Sequence, residues 1–155
     1  KILAQLDVVG AAVHSFMHLT REEQTKRVLK AMENPNVDIL FHPTSRKILA
    51  RDPIDVDMDA VIDCAKRTDT VLEIDAHPDR LDLRDEWIRR SLEAGVKLSI
   101  DSDAHSVSHF RHLEFGIAQA RRGWATKKDV INTKPVNEFL SLLKNGKPKS
   151  KRKGK

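Results

Sequence analysis

Four strand-like apolar runs alternate with helical patterns along this chain, and that alternation most restricts what it can fold into. The first run spans Leu6 to Val13, carried by Val8, Val9, Ala11 and Ala12. The others are Val37 to Phe41, Thr70 to Ile74 and Val96 to Ile100. Continuous apolar runs suit strands buried on both faces. Between them lie helix signals. Thr20-Arg21-Glu22-Glu23 reads as a capping box opening a helix to about Met32, and Asn34-Pro35-Asn36 stops it. Asp57 opens a second helix with Met58, Val61, Ile62 and Ala65 on one stripe. A third runs from near Leu83 to a stop at Gly95. Phe110 to Arg121 reads as helical, and Pro135 opens a last helix ending at Gly146. Strands alternating with helices imply an α/β fold of parallel βα units, with functional groups at the strands' C-terminal ends.

A length of 155 residues suits one domain. The net charge of +5 suggests a basic protein, but it resides at one end. Lys144 to Lys155 holds seven basic residues and no acidic one; without them 21 basic residues face 23 acidic ones, a net charge of −2. We therefore expect a folded body over 1–143 and a disordered basic tail over 144–155. Lys149, Lys151, Arg152 and Lys153 are its candidate contacts to nucleic-acid phosphates, with a merely solvated tail as the alternative. No apolar run reaches the length of a membrane span. Cys64, the single cysteine, falls in the second helical stripe and reads as a core residue of a reducing, cytoplasmic compartment. A chain that starts with Lys is expected to be a piece of a longer protein.

The chemistry concentrates where the strands end. His14 closes the first, His42 the second, Asp75-Ala76-His77 the third, and Asp101-Ser102-Asp103-Ala104-His105 the fourth. If the strands are parallel, these groups share one rim. Residues two apart in an extended segment point the same way, so Asp103 and His105 would project side by side. Imidazole with carboxylate suits Zn, Mn or Fe better than Mg or Ca. His14, His42, Asp103 and His105 are accordingly the candidate metal-ligating and catalytic residues. His77, Asp101 and His18 are further metal or rim candidates, while His109 and His112, three apart, read as surface or rim residues. Arg46 and Arg80, just beyond strand ends, are candidate phosphate contacts, with structural ion pairs as the alternative. Neither a G-x-S-x-G nucleophile elbow nor a Gly-rich phosphate loop is present.

Several strings resemble, in order, successive motifs of the PHP (polymerase and histidinol phosphatase) phosphoesterase domain. They are Val13-His14-Ser15, Ile39-Leu40-Phe41-His42-Pro43-Thr44, Leu72-Glu73-Ile74-Asp75 with the run to Leu83, and Ser102-Asp103-Ala104-His105-Ser106. Ala120-Arg121-Arg122-Gly123-Trp124 and Asp129-Val130-Ile131-Asn132-Thr133-Lys134-Pro135 resemble the end of that domain in bacterial and archaeal family X DNA polymerases. The resemblance implies the C-terminal half of a distorted (β/α)₇, TIM-like barrel carrying up to three Mn, Zn or Fe ions. It makes His14 and His42 ligands of one metal, Asp103 of a second and His105 of a third. His77 stands where the polymerase branch usually has Asn. The implied activity is a 3′-to-5′ exonuclease or 3′-end phosphoesterase serving DNA repair. Implied partners are DNA, the N-terminal half of the PHP domain and a polymerase core. The family's upstream ligands have no match in this sequence, so weak hydrolysis is expected of the chain alone, and open sheet edges are expected to favour self-association. Two alternatives stand beside this: a noncatalytic structural or DNA-binding remnant, and a phosphatase of a small phosphomonoester such as histidinol phosphate.

Overall fold

A computed structural model describes residues 2–144. Four parallel strands lie in sequence order: β1 (Gly10–Ala11), β2 (Ile39–Leu40), β3 (Val71–Asp75) and β4 (Leu98–Asp101). The helices are α1 (Arg21–Met32), α2 (Met58–Thr68), α3 (Asp85–Ala94), α4 (Leu113–Arg122) and α5 (Val136–Ser141). The alternation read from the sequence is therefore present, with every C-terminal strand end on one rim.

Local signals account for most boundaries. Thr20 and Glu23 form the reciprocal capping box at the start of α1. Asp57 caps α2 by accepting the amide of Ala60, and its stripe of Met58, Val61, Ile62 and Ala65 is buried together with Cys64. Gly95 ends α3 with φ of 82°, a conformation glycine adopts without strain.

The strands are shorter than their apolar runs. β1 covers two residues of the expected Leu6–Val13, because the run makes ladder contacts with β2 only where Gly10 and Ala11 face Ile39 and Leu40. The segment expected to be helical from Phe110 starts instead as a 3₁₀ turn over Val107–His112, and α5 ends at Ser141. The basic tail, including Lys149, Lys151, Arg152 and Lys153, lies outside the described residues.

Side chains alternate across the sheet. Leu40, Leu72, Ile74, Leu98 and Ile100 join the main core with α1–α3. Ile39 and Val71 turn to the other face, where Ile131 and Leu143 cover them with Phe139 and Leu140. Further along that second face β3 carries Glu73 and Asp75, so its rim half is acidic rather than apolar. Among the described residues the β4 edge of the sheet is partly covered. Beside β4, the amide of Leu98 donates to the carbonyl of Asp129, and the Asn132 side chain both accepts from and donates to the backbone of Ile100, at 3.1 and 2.7 Å. Asn132 thus substitutes for a neighbouring strand.

Candidate metal centre

Two imidazoles from different strand ends meet at the rim. The Nε2 atoms of His14 and His42 lie 3.2 Å apart. Two metal–nitrogen bonds of about 2.0–2.1 Å at a tetrahedral angle would hold their nitrogens roughly 3.3 Å apart. The spacing therefore fits a shared ion. His42 is buried, whereas His14 is exposed and gives the pair an open side.

The surroundings of His42 explain its orientation. Ser45 Oγ has one proton to donate, with the carbonyls of Val13 at 3.1 Å and His42 at 3.3 Å as its acceptors. It can then accept from His42 Nδ1, 3.4 Å away. That assignment leaves the lone pair of His42 on Nε2, facing His14. The backbone of His42 has φ of 29°, outside the usual range for a residue with a side chain. A buried carboxyl group holds it there: Glu73 accepts the His42 amide. Asp82, fully buried, accepts both the amide and the hydroxyl of Thr44 at 3.0 and 2.9 Å. Burial, aided by the nearby Arg80 guanidinium, lowers the His42 pKa to about 4, so the ring is neutral at physiological pH. Burial raises Glu73 to about 9, Asp75 to about 7 and Asp82 to about 6.

Asp103, at the end of β4, does not close into a three-ligand cluster with His14 and His42 among the described residues. Its carboxylate lies 3.2 Å from Arg80 Nε, which also lies 3.3 Å from Asp75. Asp103 has φ of 46°, so a second candidate ligand sits in strained backbone. His105 does not join this group. Its side chain is 74% exposed, and its Nδ1 lies 2.6 Å from the Asp103 carbonyl oxygen. Its ring neighbours His109, with centroids 6.4 Å apart. Asp101 turns back to accept from Ser99 at 2.9 Å, and His18 is exposed on the loop before α1.

The two arginines have structural partners. Arg46 donates to the carbonyls of Arg80 and Leu81 at 2.7 and 2.5 Å, which fixes the loop after β3 instead of presenting the guanidinium to a ligand. Arg80 is only 12% exposed and braces Asp75 and Asp103.

His77, His109 and His112 form a second group. One ring nitrogen from each lies within 4.8 Å of the others. Only His77 among them was a metal candidate in the sequence. Residues i and i+3 eclipse one another in a 3₁₀ turn, and this stacks His109 on His112 with centroids 4.9 Å apart.

With this geometry in view, comparison with known proteins divides into two groups. DNA polymerase/3′-5′ exonuclease PolX of Bacillus subtilis (strain 168) is 38% identical over 143 residues, 92% of this chain and 25% of that protein. The chain is similar to PolX and to probable phosphatases. One probable phosphatase, from Thermoanaerobacter sp. (strain X514), is 28% identical over 96% of this chain and 61% of its own length. Another, from Clostridium acetobutylicum, is 31% identical over 68% of this chain and 44% of its own length. The chain thus spans about a quarter of PolX and 44–61% of these phosphatases. No family model matches it. These similarities are consistent with the motif resemblance to a PHP-type domain.

Proposed function

We propose that this chain is part of a PHP-type, metal-dependent phosphoesterase domain within a distorted (β/α)₇ barrel. The observation that carries the reading is the 3.2 Å approach of His14 Nε2 to His42 Nε2 from two adjacent strand ends. In this proposal His14 and His42 hold one Mn, Zn or Fe ion, Asp103 holds a second, and His105 turns inward from its exposed position to complete the set. A bound divalent ion supplies Lewis acidity and a water acidic enough to attack a phosphoester at neutral pH. Ser45 keeps the His42 lone pair directed at the site, Glu73 and Asp82 hold the His42 loop, and Arg80 orients the Asp103 carboxylate. The exposed side of His14 leaves the rim open to a substrate.

The similarity to PolX favours a 3′-to-5′ exonuclease or 3′-end phosphoesterase acting on DNA during repair, with the rest of such a domain and a polymerase core as partners. The similarity to probable phosphatases favours a second reading, hydrolysis of a small phosphomonoester. Metal analysis and assay test both. Metal-stripped protein is reconstituted with Mn and offered bis(p-nitrophenyl) phosphate, a 3′-labelled DNA strand and p-nitrophenyl phosphate. Bound metal and weak turnover, both lost in His42→Ala, are expected, with the DNA strand preferred. A protein whose metal uptake and turnover are unchanged by His42→Ala would instead be a noncatalytic module at this centre.

A further inference from the structure

His77, His109 and His112 lie outside the His14–His42 pair, yet their arrangement has its own logic. β3 delivers His77 to the rim. Gly116 lets α4 approach so closely that a Cβ there would come within 2.6 Å of Ala76 and Ile100, and the 3₁₀ turn leading into α4 is carried along. The His77 ring stands edge-on to both others, at 79° and 81°, with centroids 5.4 and 4.9 Å away. His109 and His112 are stacked at 24°. Nδ1 of His112 is buried and has no hydrogen-bond partner among the described residues. A buried polar nitrogen without a partner is costly and calls for an explanation.

We propose that these three histidines form a separate transition-metal site. Three imidazoles with no carboxylate suit Zn, Co, Ni or Cu rather than Mg or Ca, and three ligands leave a fourth position open. The site does not depend on His14, His42 or on the proposed phosphoesterase activity.

Binding has a structural consequence. His77 Nδ1 accepts the Asp79 amide at 3.3 Å, and His109 Nδ1 accepts the His105 amide at 3.2 Å. A neutral imidazole on a metal gives one nitrogen's lone pair to the ion and carries its proton on the other. It then has no lone pair left for an amide. Whichever nitrogens bind, the Asp79 and His105 amides must let go. These amides flank Arg80 and Asp103, so occupancy loosens the loops that brace the neighbouring centre.

The test uses the whole 155-residue protein, stripped of metal and carrying His14→Ala with His42→Ala so that the other pair cannot contribute. Titration with Co(II) is expected to give the d–d absorption of a tetrahedral ion, saturating at one equivalent. Adding His112→Gln, or separately His109→Gln, is expected to abolish it while the circular dichroism stays unchanged. Zn is expected to accelerate amide hydrogen exchange at Asp79 and His105 in the His14→Ala, His42→Ala protein. The proposal fails if that protein takes up no Co(II), if both glutamine variants keep the spectrum, or if Zn leaves the two amides as protected as before.

Discussion

His42 combines burial, a positive φ and a ring aimed at another imidazole, and three residues hold it so. The hydroxyl of Ser45 is the smallest of these restraints. Ser45→Ala removes the acceptor for Nδ1 and frees the ring to choose its tautomer. Losing such a partner behind a ligand typically weakens metal affinity about 10- to 100-fold, and isothermal titration with Mn or Zn should register a loss of that size. Arg80 is restrained differently, between two carboxylates. Arg80→Gln leaves the buried Asp75 without its ionic partner, and we expect a loss of about 1–3 kcal/mol in urea unfolding. Arg80→Lys should not restore it, since an ammonium cannot reproduce the planar guanidinium. The meeting of His14 and His42 was legible because each follows an apolar run, and a parallel sheet brings such ends together. Ser45, Glu73 and Asp82 were not. Glu73 and Asp82 reach partners 31 and 38 residues away, and Ser45 reaches Val13 across 32; local pattern encodes none of these contacts. Glu73 did leave one signal: a carboxylate inside the otherwise apolar run of β3.

At the level of elements, sequence patterns located the helices well and the strands by their centres. The capping box and the glycine stop are local chemistry, whereas a ladder's length depends on its neighbour. β1 illustrates this, since only Gly10 and Ala11 of its apolar run form ladder pairs with β2. The three-residue spacing of His109 and His112 was visible, but their meeting with His77, far away in the chain, was not, because it depends on how α4 packs against β3. Two packing contacts can be tested here. Gly116→Ala inserts a methyl where α4 touches Ala76 and Ile100; overpacking of this kind costs about 1–3 kcal/mol. Thermal unfolding should show that loss, and the His109 and His112 resonances should shift with the displaced turn. Asn132→Ala strips β4 of two edge hydrogen bonds. Each bond is worth about 0.5–1.5 kcal/mol, and the bared edge should make the protein associate more strongly in light scattering.

For the molecule as a whole, the inner rim of the sheet concentrates buried acid. Glu73, Asp75 and Asp82 all have folded pKa values raised by burial. The folded state therefore keeps protons that the unfolded chain releases near pH 4. Their contribution to stability is complete below that pH and is lost as pH rises through about 6, 7 and 9. His42 acts only in acid, because its folded pKa is depressed to about 4. In metal-free buffer, stability should thus decline from neutral toward alkaline pH, by at most about 1.4 kcal/mol per pH unit for each titrating group. Glu73→Gln, which still accepts the His42 amide, should remove the alkaline end of that decline. The same acid-rich rim is where a cation would be held, and the whole account rests on one being shared by the first two strand ends. Diffraction from crystals saturated with Mn, recorded at the Mn absorption edge, tests this most directly. The account predicts an anomalous peak within coordination distance of both His14 Nε2 and His42 Nε2. Mn bound only elsewhere, with no density between those two nitrogens, would contradict it.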